Sequence, residues 1–137
     1  MNTADKTLTP IVDQKEANLL TVFLDGAGSR PDGTGSGFAW ICPTTKEKRI
    51  ERVPALTNNQ AEYRAFIAAL TALPDGARAD LFSDSQVLCC QFDGTYKVRD
   101  PDLASLLSHA QSLIREKKLN VTLQWVPRAQ NLAGKLL

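Results

Sequence analysis

A chain of 137 residues, 43% hydrophobic and 23% charged, is one ordinary soluble domain that can bury a core without disulfides or a structural metal. Its formal net charge of +1 excludes bulk attraction to nucleic acid, so any basic footprint must be local. Cys42, Cys89 and Cys90 form no C-x-x-C pair, which argues against a zinc site or thioredoxin-type chemistry and fits free thiols.

Residues 1–18 are polar, mixed in charge and without periodicity, and are expected to form a flexible tail ahead of one domain over 19–137. No secretory signal opens the chain and no apolar run is long enough for a membrane, so a cytoplasmic protein without a membrane partner is expected. Leu19 to Ser29 begins as a β-prone run that is apolar at nearly every position, as in a central strand covered on both faces. It breaks at Asp25-Gly26, which on its own reads as a turn. Gly28 to Gly37 matches neither phosphate-loop spacing, and a tight hairpin is expected there. Phe38 to Cys42 and Glu47 to Val53 complete an antiparallel meander.

Thr57 to Leu73 is the clearest helix, with Thr57 and Gln60 at capping-box spacing and apolar residues at helical spacing from Ala61 to Leu73. Glu62 falls beside that buried stripe, where an unpartnered carboxylate is costly; on its own it could reach water from the stripe's edge or pair with an arginine. A short strand over Ala77 to Phe82 ends at Asp84, which could serve as the N-cap of a helix over Gln86 to Phe92. A polar connection with Lys97 and Arg99 leads to a helix over Asp102 to Lys118. His109, the only histidine, is expected on the surface of that helix, which leaves little support for a histidine-dependent triad. Asn120 to Val126 alternates Val121, Leu123 and Trp125 on an inner face against Thr122 and Gln124, as in a half-exposed strand, and Ala129 to Leu137 reads as a last helix.

Strands joined through helices make a mixed sheet with helices on its faces, and parallel neighbours bring strand ends together. Asp25 and Asp84 can then meet, with Glu62 joining from the packed helix. Three close carboxylates repel one another and raise each other's pKa. Divalent cations relieve that repulsion, and all-oxygen ligation favours Mg2+ or Mn2+. A pair of such ions is the usual apparatus for attack of water on a phosphodiester.

Taken together, Asp25-Gly26 before a glycine-rich hairpin, Thr57-Asn58-Asn59-Gln60-Ala61-Glu62-Tyr63, Ser83-Asp84-Ser85 and Trp125-Val126-Pro127-Arg128 resemble the type 1 ribonuclease H family. The resemblance implies an α/β, ribonuclease H-like fold: a five-stranded mixed sheet flanked by helices. It implies metal-dependent cleavage of the RNA strand of an RNA/DNA hybrid, leaving 5′-phosphate and 3′-hydroxyl ends, with two Mg2+ or Mn2+ ions per site. It makes Asp25, Glu62 and Asp84 metal ligands. It places Gly28, Ser29, Asn58, Asn59 and Gln60 on the hybrid, and Thr44, Lys97 and Arg99 on the DNA backbone. A monomer without an obligate protein partner is expected.

Two departures stand out. The family's fourth acid, in a pattern like N-x-x-A-D, is replaced by Gly134 within Gln130-Asn131-Leu132-Ala133-Gly134. On a helix Asn131 would share a face with Gly134, so its amide oxygen is expected to replace the missing ligand. Arg128 stands near the place of a histidine that the family often carries, and is expected to draw phosphate or product outward. The chief rival is a hybrid-binding protein of the same fold with weakened or lost catalysis. Lesser rivals are a metal nuclease for other substrates and a phosphotransferase using the glycine-rich loop.

Overall fold

The structure, a computed structural model, describes residues 19–137; the tail expected over residues 1–18 lies outside the described residues. The sheet is built from β1 (Leu19–Ala27), β2 (Gly37–Cys42), β3 (Glu47–Arg52), β4 (Arg78–Ser83) and β5 (Asn120–Trp125). Its order is β3-β2-β1-β4-β5. The β1–β2 and β2–β3 pairs are antiparallel, whereas β1–β4 and β4–β5 are parallel. The mixed sheet and the central place of β1 match the expectation.

Helix α1 (Asn58–Ala72) crosses β1 and β2, and α3 (Pro101–Glu116) packs beside it. The capping box forms: Thr57 Oγ1 accepts from Gln60 N at 3.1 Å, and Gln60 Oε1 accepts from Thr57 N at 3.0 Å. Pro101 opens α3 behind the Asp100 cap, where its missing N–H costs nothing. Tyr63, Phe66 and Leu70 of α1 are fully buried against Val22, Leu24 and Leu81 of the sheet. On the opposite face of β1, Phe23 stacks on Phe82 with ring centroids 5.1 Å apart. The expected cover on both faces of β1 is present, and its interior positions are buried or half-buried.

Three expectations are corrected. Asp25-Gly26 is no turn, because β1 runs on through Ala27 with Asp25 paired to Ala39 and Gly26 to Phe38. Trp125, expected on the inner face of β5, is half-exposed on an edge strand whose inner positions Val121 and Leu123 are only partly covered. The last helix is two short 3-10 turns, Arg128–Gln130 and Leu132–Leu136, separated by Asn131. No helix among the described residues is long and apolar enough to cross a membrane.

Candidate active site

The parallel pairing of β1 with β4 sets the site. Phe23 lies opposite Phe82. Two residues further along each strand come Asp25 and Asp84, so both carboxylates emerge at one rim of the sheet. Asp84 is free for this role because Ser85, not Asp84, caps helix α2 (Gln86–Phe92), its hydroxyl accepting from Leu88 N at 3.1 Å. Glu62 arrives from the second turn of α1. Its approach depends on Gly26, where a Cβ would collide with the Ala61–Glu62 peptide. Gly26 N donates to Glu62 Oε1 at 3.1 Å, tying the acid of α1 to the strand that carries Asp25.

One oxygen from each of Asp25, Glu62 and Asp84 lies within 4.8 Å of the others. Asp25 and Glu62 are buried, each 7% exposed. Burial and the neighbouring Asp84 push the Asp25 carboxyl up to about 6, while Gly26 N–H, Arg128 and Glu62 pull partway back. Burial, then Asp25 and Asp84, push Glu62 up to about 9 against the same pull of Gly26 and Arg128. Among the described residues, neither the water-facing Glu62 nor the Glu62–arginine ion pair open to the sequence is found. Asp25 Oδ1 is buried without any hydrogen-bond partner. An orphaned anionic oxygen in a set of converging hard donors is what a divalent cation satisfies, so these residues fit Mg2+ or Mn2+.

Asn131 is 2% exposed beside the cluster, and its side-chain oxygen is engaged away from the acids. Its Nδ2 donates to Leu24 O at 2.9 Å and to Asp84 Oδ2 at 3.1 Å, while its Oδ1 accepts from Ala133 N at 3.1 Å. The expected ligand oxygen caps a 3-10 turn, and the α-helical face shared with Gly134 does not form. Gly134 does stand at the acids: a Cβ there would meet only Asp25 Oδ2, at 3.5 Å.

The start of α1 lies close by. Gly28 N donates to Asn58 Oδ1 at 2.8 Å, and Ser29 N donates to Leu56 O at 2.8 Å. These bonds gather Gly28, Ser29 and the exposed Asn58 and Asn59, with Gln60 half-buried behind them. Arg128 is exposed, yet its charge reaches both Asp25 and Glu62. Lys97 and Arg99 are exposed on the connection between α2 and α3. Thr44 is not brought to the site. Its hydroxyl accepts from Thr21 N at 3.1 Å. Thr21 is four residues before Asp25, roughly 13 Å back along the strand. His109 is exposed on α3, as expected.

The sequence also left two contacts unseen. The Gly26 N–H holds Glu62, and the Trp125 indole donates to Asp84 O at 3.1 Å. For Gly26 a signal existed, a glycine directly after the acid of a strand that does not turn. For Trp125 the signal was its place at the end of the strand pairing with Ser83.

A mixed sheet in this order, with acids at the ends of its two central parallel strands and a third from the crossing helix, has the ribonuclease H-like fold. The chain belongs to the RNase H family, whose sequence profile matches residues 17–132. It is similar to the bifunctional protein Rv2228c of Mycobacterium tuberculosis, 34% identical over 119 residues, covering 82% of this chain and 32% of that protein. This chain thus spans about a third of the length of the curated relatives it matches first. Among solved structures it is similar to RNase H1 of the halophilic archaeon Halobacterium salinarum, at 30% identity and a TM-score of 0.75, covering 87% of this chain and 93% of the other. It is also similar to LC11-RNase H1 in complex with RNA/DNA hybrid, at 25% identity and a TM-score of 0.75, covering 86% and 92%.

Proposed function

We propose that this chain is a metal-dependent endonuclease that hydrolyses the RNA strand of RNA/DNA hybrids, leaving 5′-phosphate and 3′-hydroxyl ends. The observation that carries the reading is the meeting of Asp25, Glu62 and Asp84, with Asp25 Oδ1 buried and unpartnered, in a chain of the RNase H family. The similar LC11-RNase H1 bound to a hybrid supports the substrate. Asp25, Glu62 and Asp84 would hold two Mg2+ or Mn2+ ions. When bound, such a pair supplies an activated water and stabilises the leaving oxygen of an in-line displacement.

The chain's own residues do the rest. The Gly26 N–H orients Glu62. Asn58 has its amide oxygen committed to Gly28 N, which leaves its NH2 to donate to 2′-hydroxyls or base edges. Asn59 and Gln60 share that role, and Gly28 and Ser29 let the RNA backbone come close. Arg128 would draw phosphate or product outward, and Lys97 and Arg99 would meet the DNA strand. With few basic contacts, hybrid binding should be weak and its dependence on salt shallow.

The test is incubation with a labelled hybrid, duplex DNA or duplex RNA, each with Mg2+ or Mn2+. Cleavage of hybrid RNA that is lost in Glu62→Gln is expected. Cutting of duplex DNA in preference would overturn the substrate. Gly134 at the fourth acid's place favours one alternative, a hybrid-binding protein without catalysis, which would retain hybrid and leave it whole in both metals.

A further inference from the structure

We propose that Asn131 is the positioning residue of this site, a neutral clamp that fixes the Asp84 carboxylate against the backbone of β1. The inference rests on the reading of Asp25, Glu62 and Asp84 as the working carboxylates. Every polar group of the Asn131 side chain is engaged. Both of its N–H donors meet oxygens, one the Leu24 carbonyl at 2.9 Å and the other Asp84 Oδ2 at 3.1 Å, while its oxygen takes the Ala133 N–H at 3.1 Å.

Those partners also fix which way the amide points. Turned over, it would set its oxygen against a carbonyl and a carboxylate, and its NH2 against an N–H donor. At 2% exposure no water is at hand to absorb three such clashes, each with the cost of an unsatisfied buried group. The orientation therefore follows from the donor and acceptor inventory.

The clamp joins three pieces of the site. Leu24 immediately precedes Asp25 on β1. Asp84 lies just past the end of β4, outside the ladder that ends at Ser83. Ala133 precedes Gly134, which faces Asp25. Asp84 is held on one side by the Trp125 indole on its carbonyl and on the other by Asn131 on its carboxylate. Among the described residues no other side chain is seen to donate to that carboxylate. An amide suits the task better than a cation or an acid. A cation would compete with metal for Asp84, and an acid would repel it.

This role and the ligand role expected from the sequence predict opposite results for Asn131→Asp. A ligand oxygen becomes a better ligand, so activity should hold or rise. A clamp loses both donors and sets a negative charge against Asp84. With saturating Mn2+, kcat on a hybrid should fall about 100-fold in Asn131→Asp and about 10-fold in Asn131→Ala, with KM within about twofold of wild type. In the wild-type background, the Asn131 side-chain NH2 resonances should move on Asp84→Ala, a readout that needs neither metal nor turnover. Retained or raised kcat in Asn131→Asp would overturn the proposal in favour of a ligand. A lowered melting temperature with unchanged kcat in Asn131→Ala would reduce Asn131 to a structural cap. If the wild-type chain cuts no hybrid, the cleavage reading fails, while unmoved NH2 resonances in Asp84→Ala would overturn the clamp separately.

Discussion

The start of α1 and the turns after β5 both feed the same three carboxylates, yet they are organised by different forces. At α1, a capping box, a buried stripe of side chains and a glycine on the facing strand deliver Glu62 through regular secondary structure. After β5 no α-helix forms, and one buried amide holds the segment through three hydrogen bonds. A regular element places a functional group through many weak contacts, so no single contact decides the outcome. An irregular one depends on a few specific bonds, and replacing one side chain redirects it.

The first way to break this comparison is at the acids. Replacing Asp25 with Asn or Glu62 with Gln should lower hybrid cleavage on the order of 10³-fold or more, since an ion's stabilisation of the reacting oxygens amounts to several kcal/mol. The check is single-turnover cleavage at saturating metal. Gly26→Ala should come next. Its Cβ collides with the Ala61–Glu62 peptide, so α1 must shift; about 1–3 kcal/mol of stability should go, and cleavage with it. Denaturant melts and cleavage rates read both. Thr57→Ala removes half of the capping box and should cost about 1 kcal/mol in the same melts.

Gly134→Asp sharpens the other side of the comparison. The Cβ has room, and its carboxylate would sit beside Asp25. Less metal should then be needed for half-maximal cleavage, while the metal-free protein should melt lower from added repulsion. Metal titrations and thermal melts in chelator check the two effects.

The pH dependence follows from the raised carboxyls. Asp25 at about 6 and Glu62 at about 9 hold protons in the folded chain that the unfolded chain has released. Their contribution to stability is therefore full below about pH 4 and is lost as pH rises to 6 for Asp25 and to 9 for Glu62. In chelator the melting temperature should drift downward over that window, and saturating Mg2+ should flatten the drift.

Much of this was legible in the sequence where many residues vote together. The apolar run of β1, the periodicity of α1 and the odd burial of Glu62 each imposed strong local constraints. The distance of Thr44 from the acids was legible from the hairpin alone. The β2 strand runs back along β1, so the turn after it must lie at the start of β1, away from Asp25. The segment around Asn131 was misread as a helix. With Asn131 and Gly134 in the segment, local side-chain bonding outweighs a weak helical preference. Nothing in one sequence says which end of an amide meets a carboxylate.

The central claim is that Asp25, Glu62 and Asp84 share a cation that displaces the protons which burial, and then repulsion between the acids, hold on Asp25 and Glu62. Calorimetric titration of Mn2+ at pH 7, in two buffers of different ionisation enthalpy, tests it directly. Binding should release roughly one proton per site, chiefly from Glu62, and Glu62→Gln should abolish the release. Binding without proton release, or equal release from Glu62→Gln, would contradict it.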